Sequence, residues 1–219
     1  MDISQPSTST VSRLNYPVLF HPFHGENIEL LDRRQRALRR VSFEKGLVFS
    51  DRPLQENEYF FISIETVEGG WSGHLRIGLT TLNPASHPTS SQLEHSSLLV
   101  SLSPFMIPVD AQAEPLPTEK GSLIGVYFER KLGKTRLHII LNGFDMYPPD
   151  LGNSLPTDQP LFAVVDVFGS TKEIRVVRPP SRVPARLSSI CTRHVNQLIK
   201  LGLYRSKDVP APLWQKLHQ

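Results

Sequence analysis

A single cysteine, Cys191, stands in RLSSICTRHV near the end of this 219-residue chain, with Leu187 four residues before it and Val195 four residues after. It carries the most reactive side chain in the stretch, yet it is a poor nucleophile candidate. No base lies near it in sequence. Leu187, Ile190, Cys191, Val195 and Leu198 fall at i, i+3, i+4, i+8 and i+11, which places the thiol on the apolar stripe of a predicted helix, as a small hydrophobe. His21 and His24 in HPFH are the nearest approach to a metal-ligand pair. Three apart, they do not share a face of a strand, and a zinc site wants about four donors. Asp166 in AVVDVFG falls within an apolar strand, where a hydrogen-bonded structural carboxylate is the expectation over a catalytic one. The sequence has no G-x-S-x-G, P-loop, H-E-x-x-H or dinucleotide glycine pattern. These residues predict no catalytic centre, no cofactor and no metal.

Composition narrows the classes further. One cysteine cannot close an intramolecular disulfide, which fits a reducing, cytoplasmic setting, and it excludes a Cys-rich zinc domain such as a RING. No apolar run approaches the roughly 20 residues that span a bilayer, and Met1 to Ser12 lacks the pattern of a signal peptide. The formal net charge is +3, too small to suggest nucleic acid. The densest basic stretch, DRRQRALRR with Arg33, Arg34, Arg36, Arg39 and Arg40, has no interleaved aromatics. A solvated hairpin is preferred there over a phosphate or anionic-lipid patch.

The elements that would position any site are strands. In EYFFISIETV, Phe60, Ile62 and Ile64 point one way, while Tyr59, Phe61, Ser63 and Glu65 point the other. HLRIGLT sets Leu75, Ile77 and Leu79 against Arg76, Gly78 and Thr80, and TRLHIILNG aligns Leu137, Ile139 and Leu141 before a tight Asn142-Gly143 hairpin. LIGVYFERK, LFAVVDVFG and KEIRVV follow the same rule, with shorter candidates in PVLF, IELL, RRVSF and LVFS. About ten strands without helices between them predict a mainly β fold, an antiparallel sandwich or jelly roll. The Pro/Ser-rich stretch Pro84 to Lys120 interrupts this, although SSLLVSL inside it reads as a strand. Residues 1–16 are expected to be disordered, 17–178 to form the sandwich, and 179–185 (PPSRVPA) to be a Pro-rich linker. Gly202 is a C-terminal cap for the helix, and DVPAPLWQKL beyond it is an extended segment set by Pro210 and Pro212.

Two regions resemble known modules. FHPFHGENIEL, RRVSFEKGLVFSDRPL, GGWSGHLRIGLTTLNP, LHIILNGFDM and LFAVVDVFGSTKEIRVV match, in order, a neuralized homology repeat. That resemblance implies a SPRY-like β-sandwich that binds protein targets through surface loops. Arg52, Trp71, Ser72 and Arg76 lie in these stretches and are the expected target-binding residues. For Trp71 a place in the core competes with one on the loop rim, and the core is the expectation. Residues 186–219 resemble a SOCS box. Its BC box (187–195) would dock on elongin C through Leu187, Ile190, Cys191, Val195 and Leu198. Its cullin box (208–217) would use Val209, where Leu is usual, with Pro210, Pro212, Leu213 and Leu217. Taken alone, the stripe suits a partner's groove and the chain's own sandwich equally; the resemblance favours the partner. It implies a non-catalytic adaptor for elongin C and B and cullin-5 with its RING partner, presenting a protein substrate. A free-standing peptide- or phospholipid-binding sandwich is the alternative.

Overall fold

The computed structural model describes residues 18–106, 115–146 and 155–179. Eleven strands among them are β1 (Ile28–Leu31), β2 (Arg36–Arg39), β3 (Leu47–Phe49), β4 (Phe60–Val67), β5 (Arg76–Thr80), β6 (Ser97–Ser101), β7 (Leu123–Lys131), β8 (Lys134–Leu141), β9 (Phe144–Met146), β10 (Phe162–Asp166) and β11 (Thr171–Val177). They form a seven-stranded sheet in the order β1-β2-β11-β4-β7-β8-β9 and a four-stranded sheet in the order β3-β10-β5-β6. Every pairing is antiparallel.

The core lies between the sheets, filled by the alternate residues that the pattern indicated. Phe60, Ile62 and Ile64 meet Ile124, Val126, Phe128, Leu137, Ile139 and Leu141 from one sheet, and Leu75, Ile77, Leu79, Ala163 and Val165 from the other. Each such large side chain contributes about 1.5–3 kcal/mol by leaving water. Asn142 and Gly143 both take positive φ, 48° and 89°, the turn that matches strand twist, and they join β8 to β9 as expected. Leu132 and Gly133 make the same kind of turn between β7 and β8.

Three expectations about these elements need correction. RRVSF is not a strand: β2 covers Arg36–Arg39 and the chain then loops, because Ser42 and Lys45 adopt φ of 58° and 56°, which no pleated strand allows. PVLF contributes only a bridge between Phe20 and Ser50. A helix does interrupt the strands. α1 (Ser90–Ser96) starts where the Gln92 side chain accepts from the Thr89 backbone N–H at 2.8 Å. Seven residues are too few to show a helical period. α1 sets Leu93 on Phe49, Val164 and Leu47, and so covers the outer face of the smaller sheet. SSLLVSL does supply an edge strand, β6, which completes that sheet.

The basic stretch forms a hairpin, β1 to β2, but it is not simply solvated. Arg39 is 1% exposed. Arg36 pairs with Asp32 (3.0 Å) and Glu173 (2.8 Å), Arg40 with Glu29 (2.8 Å), and Arg34 donates to Phe20 O (3.2 Å). These cations serve the fold rather than a shared anion patch. Among the described residues no helix is long and apolar enough to cross a membrane.

Candidate target-binding rim

Strand register assigns the loops to two ends. Arg76 pairs with Asp166, and Thr171 with Val67, so residues 40–46, 68–75 and 167–170 meet at one end. Leu54 bridges Leu161, which places residues 51–58 at the other.

At the first end, aromatic side chains collect outside the core. Trp71 is 43% exposed, which corrects the expectation that it is a core residue. The two glycines before it and Gly73 after it lift the indole clear of β4 and β5. Its ring lies 5.1 Å from Phe43, and Phe43 meets Phe168 edge-on at 5.8 Å. Val41 and Val67, also exposed, extend the surface. The Arg76 guanidinium sits 5.7 Å from the Phe168 ring centre while pairing with the buried Asp166. Asp166 thus takes the structural role expected of it. Ser72 belongs to the same turn as Trp71 and is exposed.

Apolar side chains at a loop surface usually imply motion, but here the loops are stitched to one another. Gly169 N–H donates to Phe43 O and Ser170 N–H to Gly73 O, both at 3.0 Å. Val167 N–H donates to Gly46 O at 2.9 Å, and Glu68 N–H to Ser170 O at 2.8 Å. The approach is close enough that a Cβ on Gly169 would lie 2.3 Å from Gly73 O, and one on Gly73 would lie 2.7 Å from the Phe168 ring. Arg39 sits beneath, its Nη2 donating to Gly169 O (2.5 Å) and Thr171 O (3.1 Å). Burial lowers its affinity for the proton; Glu68 and Asp166 act against that and balance the charge. Glu68 is itself held below its usual value, first by the Lys172 hydrogen bond and more weakly by the Trp71 indole N–H. Ser170 Oγ and His74 Nδ1 share a hydrogen bond at 2.7 Å, and burial keeps His74 below its ordinary 6.5. A register shift in β11 between Thr171 and Ile174 turns Lys172 toward Glu68, 2.8 Å away. The result is a pre-shaped, partly desolvated aromatic surface, the kind that anchors a protein partner.

Arg52 is not part of it. At the opposite end its guanidinium grips Glu58 with two hydrogen bonds, at 2.5 and 2.8 Å, beside an open groove of about 570 Å³ lined by Pro53, Leu54, Phe128, Arg130 and Pro160. Arg130 donates to Gln159 O and its backbone N–H to Glu56. Arg52, Glu58, Glu56 and Arg130 at that end are all engaged within it. His21 and His24 are also used locally: His21 Nδ1 accepts from Phe23 N–H, and His24 Nδ1–H donates to Gly25 O. Among the described residues no group of three or more His, Cys, Asp or Glu could hold a metal ion. Leu187, Ile190, Cys191, Val195, Leu198, Val209, Pro210, Pro212, Leu213 and Leu217 lie outside the described residues, as do 1–16 and most of the linker.

Val41, Phe43, Phe168 and Arg39 were missed as rim residues in the sequence. Phe43 and Phe168 fell in stretches read as strands. The signal that separates them is the glycine after each, Gly46 and Gly169, which ends the pleat.

A two-sheet sandwich with loops of this kind is a known class, and the chain belongs to the Neuralized family, whose model matches residues 20–178. It is similar to Neuralized-like protein 2 of Mus musculus, 35% identical with 80% of this chain and 82% of the relative covered, and to that of Homo sapiens, 34% identical with 88% and 90% covered. The E3 ubiquitin-protein ligase NEURL3 of Homo sapiens is 31% identical over 73% of this chain and 59% of its own. The crystal structure of the Drosophila melanogaster neuralized-nhr1 domain superimposes with a TM-score of 0.62, at 21% identity, covering 75% of this chain and 100% of that one, which establishes the shared fold.

Proposed function

We propose that this chain is a substrate-recognition adaptor of a ubiquitin ligase, with no catalytic chemistry of its own. The rim of Phe43, Trp71, Phe168, Val41 and Arg76 holds a protein target. Residues 186–219 recruit elongin C and B through Leu187, Ile190, Cys191, Val195 and Leu198. Val209, Pro210, Pro212, Leu213 and Leu217 engage cullin-5 with its RING partner, in the cytoplasm. The observation that carries the reading is the exposed aromatic cluster on stitched loops: such a surface costs stability in water and gains most when a partner covers it. Relatives named E3 ubiquitin-protein ligases support the pathway. The lone cysteine of these 219 residues cannot build a Cys-rich RING, so the transfer step falls to recruited partners.

Leu187→Asp tests the attachment. A charge in an apolar pocket costs several kcal/mol, so elongin C binding is expected to vanish while the melting temperature holds. Replacing Pro210 and Pro212 by Ala is expected to weaken cullin-5 recruitment and spare elongin C. Persistent elongin C binding by Leu187→Asp overturns the attachment reading.

A further inference from the structure

The outer face of the seven-stranded sheet is divided. Toward β1 it carries an ion-pair ladder in which Arg36 and Arg175 share Asp32, at 3.0 and 3.1 Å. Toward β8 it is aromatic. Tyr59 stacks on Phe61 at 5.9 Å and packs on Tyr127 at 4.6 Å, and Tyr127 stacks on His138 at 4.4 Å. In the adjacent row Phe61 pairs with Gly125, and Gly125 with Ile140. The missing side chain of Gly125 makes room for the Phe61 ring, since a Cβ there would come within 2.4 Å of it. Phe61 and Ile140 belong to neither core cluster and alternate with residues that do. They nevertheless expose only 1% and 2%. An apolar row that points away from both cores and is closed to solvent has a cover.

The path of the chain brings a candidate occupant within reach. β11 ends at Val177, the direct pairing partner of Phe61, so the chain leaves the sheet beside this row. Extended, Pro-rich residues advance about 3.1 Å each, giving the nine from 178 to 186 a reach of about 28 Å. The row from β4 to β8 is two strand spacings wide, about 10 Å. A helical run from 187 to 198 would be about 17 Å long, close to the roughly 14 Å that β7 spans from Leu123 to Tyr127. Glu129 and Asp145 border the aromatic patch but are already engaged, Glu129 by Arg136 at 3.6 Å and Asp145 by Tyr127 at 2.9 Å and His138 at 3.1 Å, so reach and length, not charge, favour this segment.

We propose that the face formed by Tyr59, Phe61, Tyr127 and Ile140 is the docking surface for this chain's own residues 187–198, so that the stripe assigned to elongin C rests on the sandwich until that partner takes it. The release step rests on the elongin reading; the docking does not. The test uses the full chain carrying Cys191→Ala and Arg193→Cys, with a nitroxide on the new thiol, which lies opposite the stripe. Methyl signals of Ile140 and Leu123 are expected to broaden strongly, and those of Leu93 and Leu99, across the molecule, to stay sharp. Tyr59→Ser with Tyr127→Lys, both half-buried positions, is expected to remove the broadening at an unchanged melting temperature. Saturating elongin BC is expected to remove it too. Sharp Ile140 signals in the free chain, or broadening that survives the tyrosine changes, overturn the docking. Broadening that survives bound elongin BC overturns the release. If elongin BC does not bind while Ile140 is broadened, the docking stands and the elongin reading falls.

Discussion

The two ends of the sandwich use similar residues to opposite effect. Both place an arginine beside an acid: Arg76 with Asp166 at one end, Arg52 with Glu58 at the other. At the Arg52 end the pair is a bidentate clamp within a loop, and Arg130 ties the neighbouring segment to Gln159. Polar groups satisfied among themselves gain little from a newcomer. At the Arg76 end the ion pair supports Phe168, and Phe43 and Trp71 stand out beside it, with backbone hydrogen bonds fixing their loops from behind. If the Arg76 end is the proposed target surface, that surface is made by what the ion pairs leave uncovered; the rigidity of its loops comes from backbone hydrogen bonds and one buried cation.

If Arg39 is that central support, removing it should produce the largest effect. Arg39→Met leaves Gly169 O and Thr171 O without their donor in a buried place, at a cost of about 3 kcal/mol, or a fall of roughly 6–12 °C in melting temperature for a domain of this size. Thermal unfolding checks it, and a change within 2 °C would mean that the loops hold without the cation. Gly169→Ala comes next. It places a Cβ 2.3 Å from Gly73 O at a φ of 59°, and should cost about 2 kcal/mol, with faster hydrogen exchange at residues 169 and 170 while 51–58 are unaffected. Exchange that rises equally at both ends would dissolve the distinction between them.

The smallest effect belongs to the other end. Burial alone would raise the Glu58 carboxyl, but the hydrogen bonds from Arg52, with that from Gln55 N–H, bring it below its usual 4.5. A carboxyl depressed in the fold adds stability above its unfolded value, and that contribution disappears as pH falls through the folded value. Arg52→Ala should therefore lower stability by about 1 kcal/mol at neutral pH, since the pair is partly exposed, and by less below pH 4, with target binding unchanged. Urea unfolding at pH 7 and pH 3.5 gives both numbers. A loss of target binding would move the site to the groove.

Much of the sandwich was legible because burial in a two-layer fold has a period of two. The faces of β4, β5, β7 and β8 follow their alternation, and Asn142-Gly143 marks its hairpin. The site was less legible. Trp71, Ser72 and Arg76 are near neighbours in sequence and stay together, whereas Arg52 is carried to the far end by strand direction, which only pairing decides. Phe43 and Phe168 lie far apart in sequence and share an environment only once β2, β3, β10 and β11 have set their loops side by side. Arg39 looked like one more charge in a basic run. Its burial depends on two carbonyls more than a hundred residues downstream.

The claim that target recognition and ligase attachment occupy separate surfaces is tested most directly by a crossed capture. Intact chain, Trp71→Ala and Leu187→Asp are compared for elongin C, cullin-5 and the proteins that accumulate on the chain when the proteasome is inhibited. Trp71→Ala is expected to lose the accumulating targets at least tenfold, with melting unchanged and elongin C retained. Leu187→Asp is expected to lose elongin C and cullin-5 and keep the targets. Loss of both sets by either variant, or targets that remain on Trp71→Ala, would contradict the account.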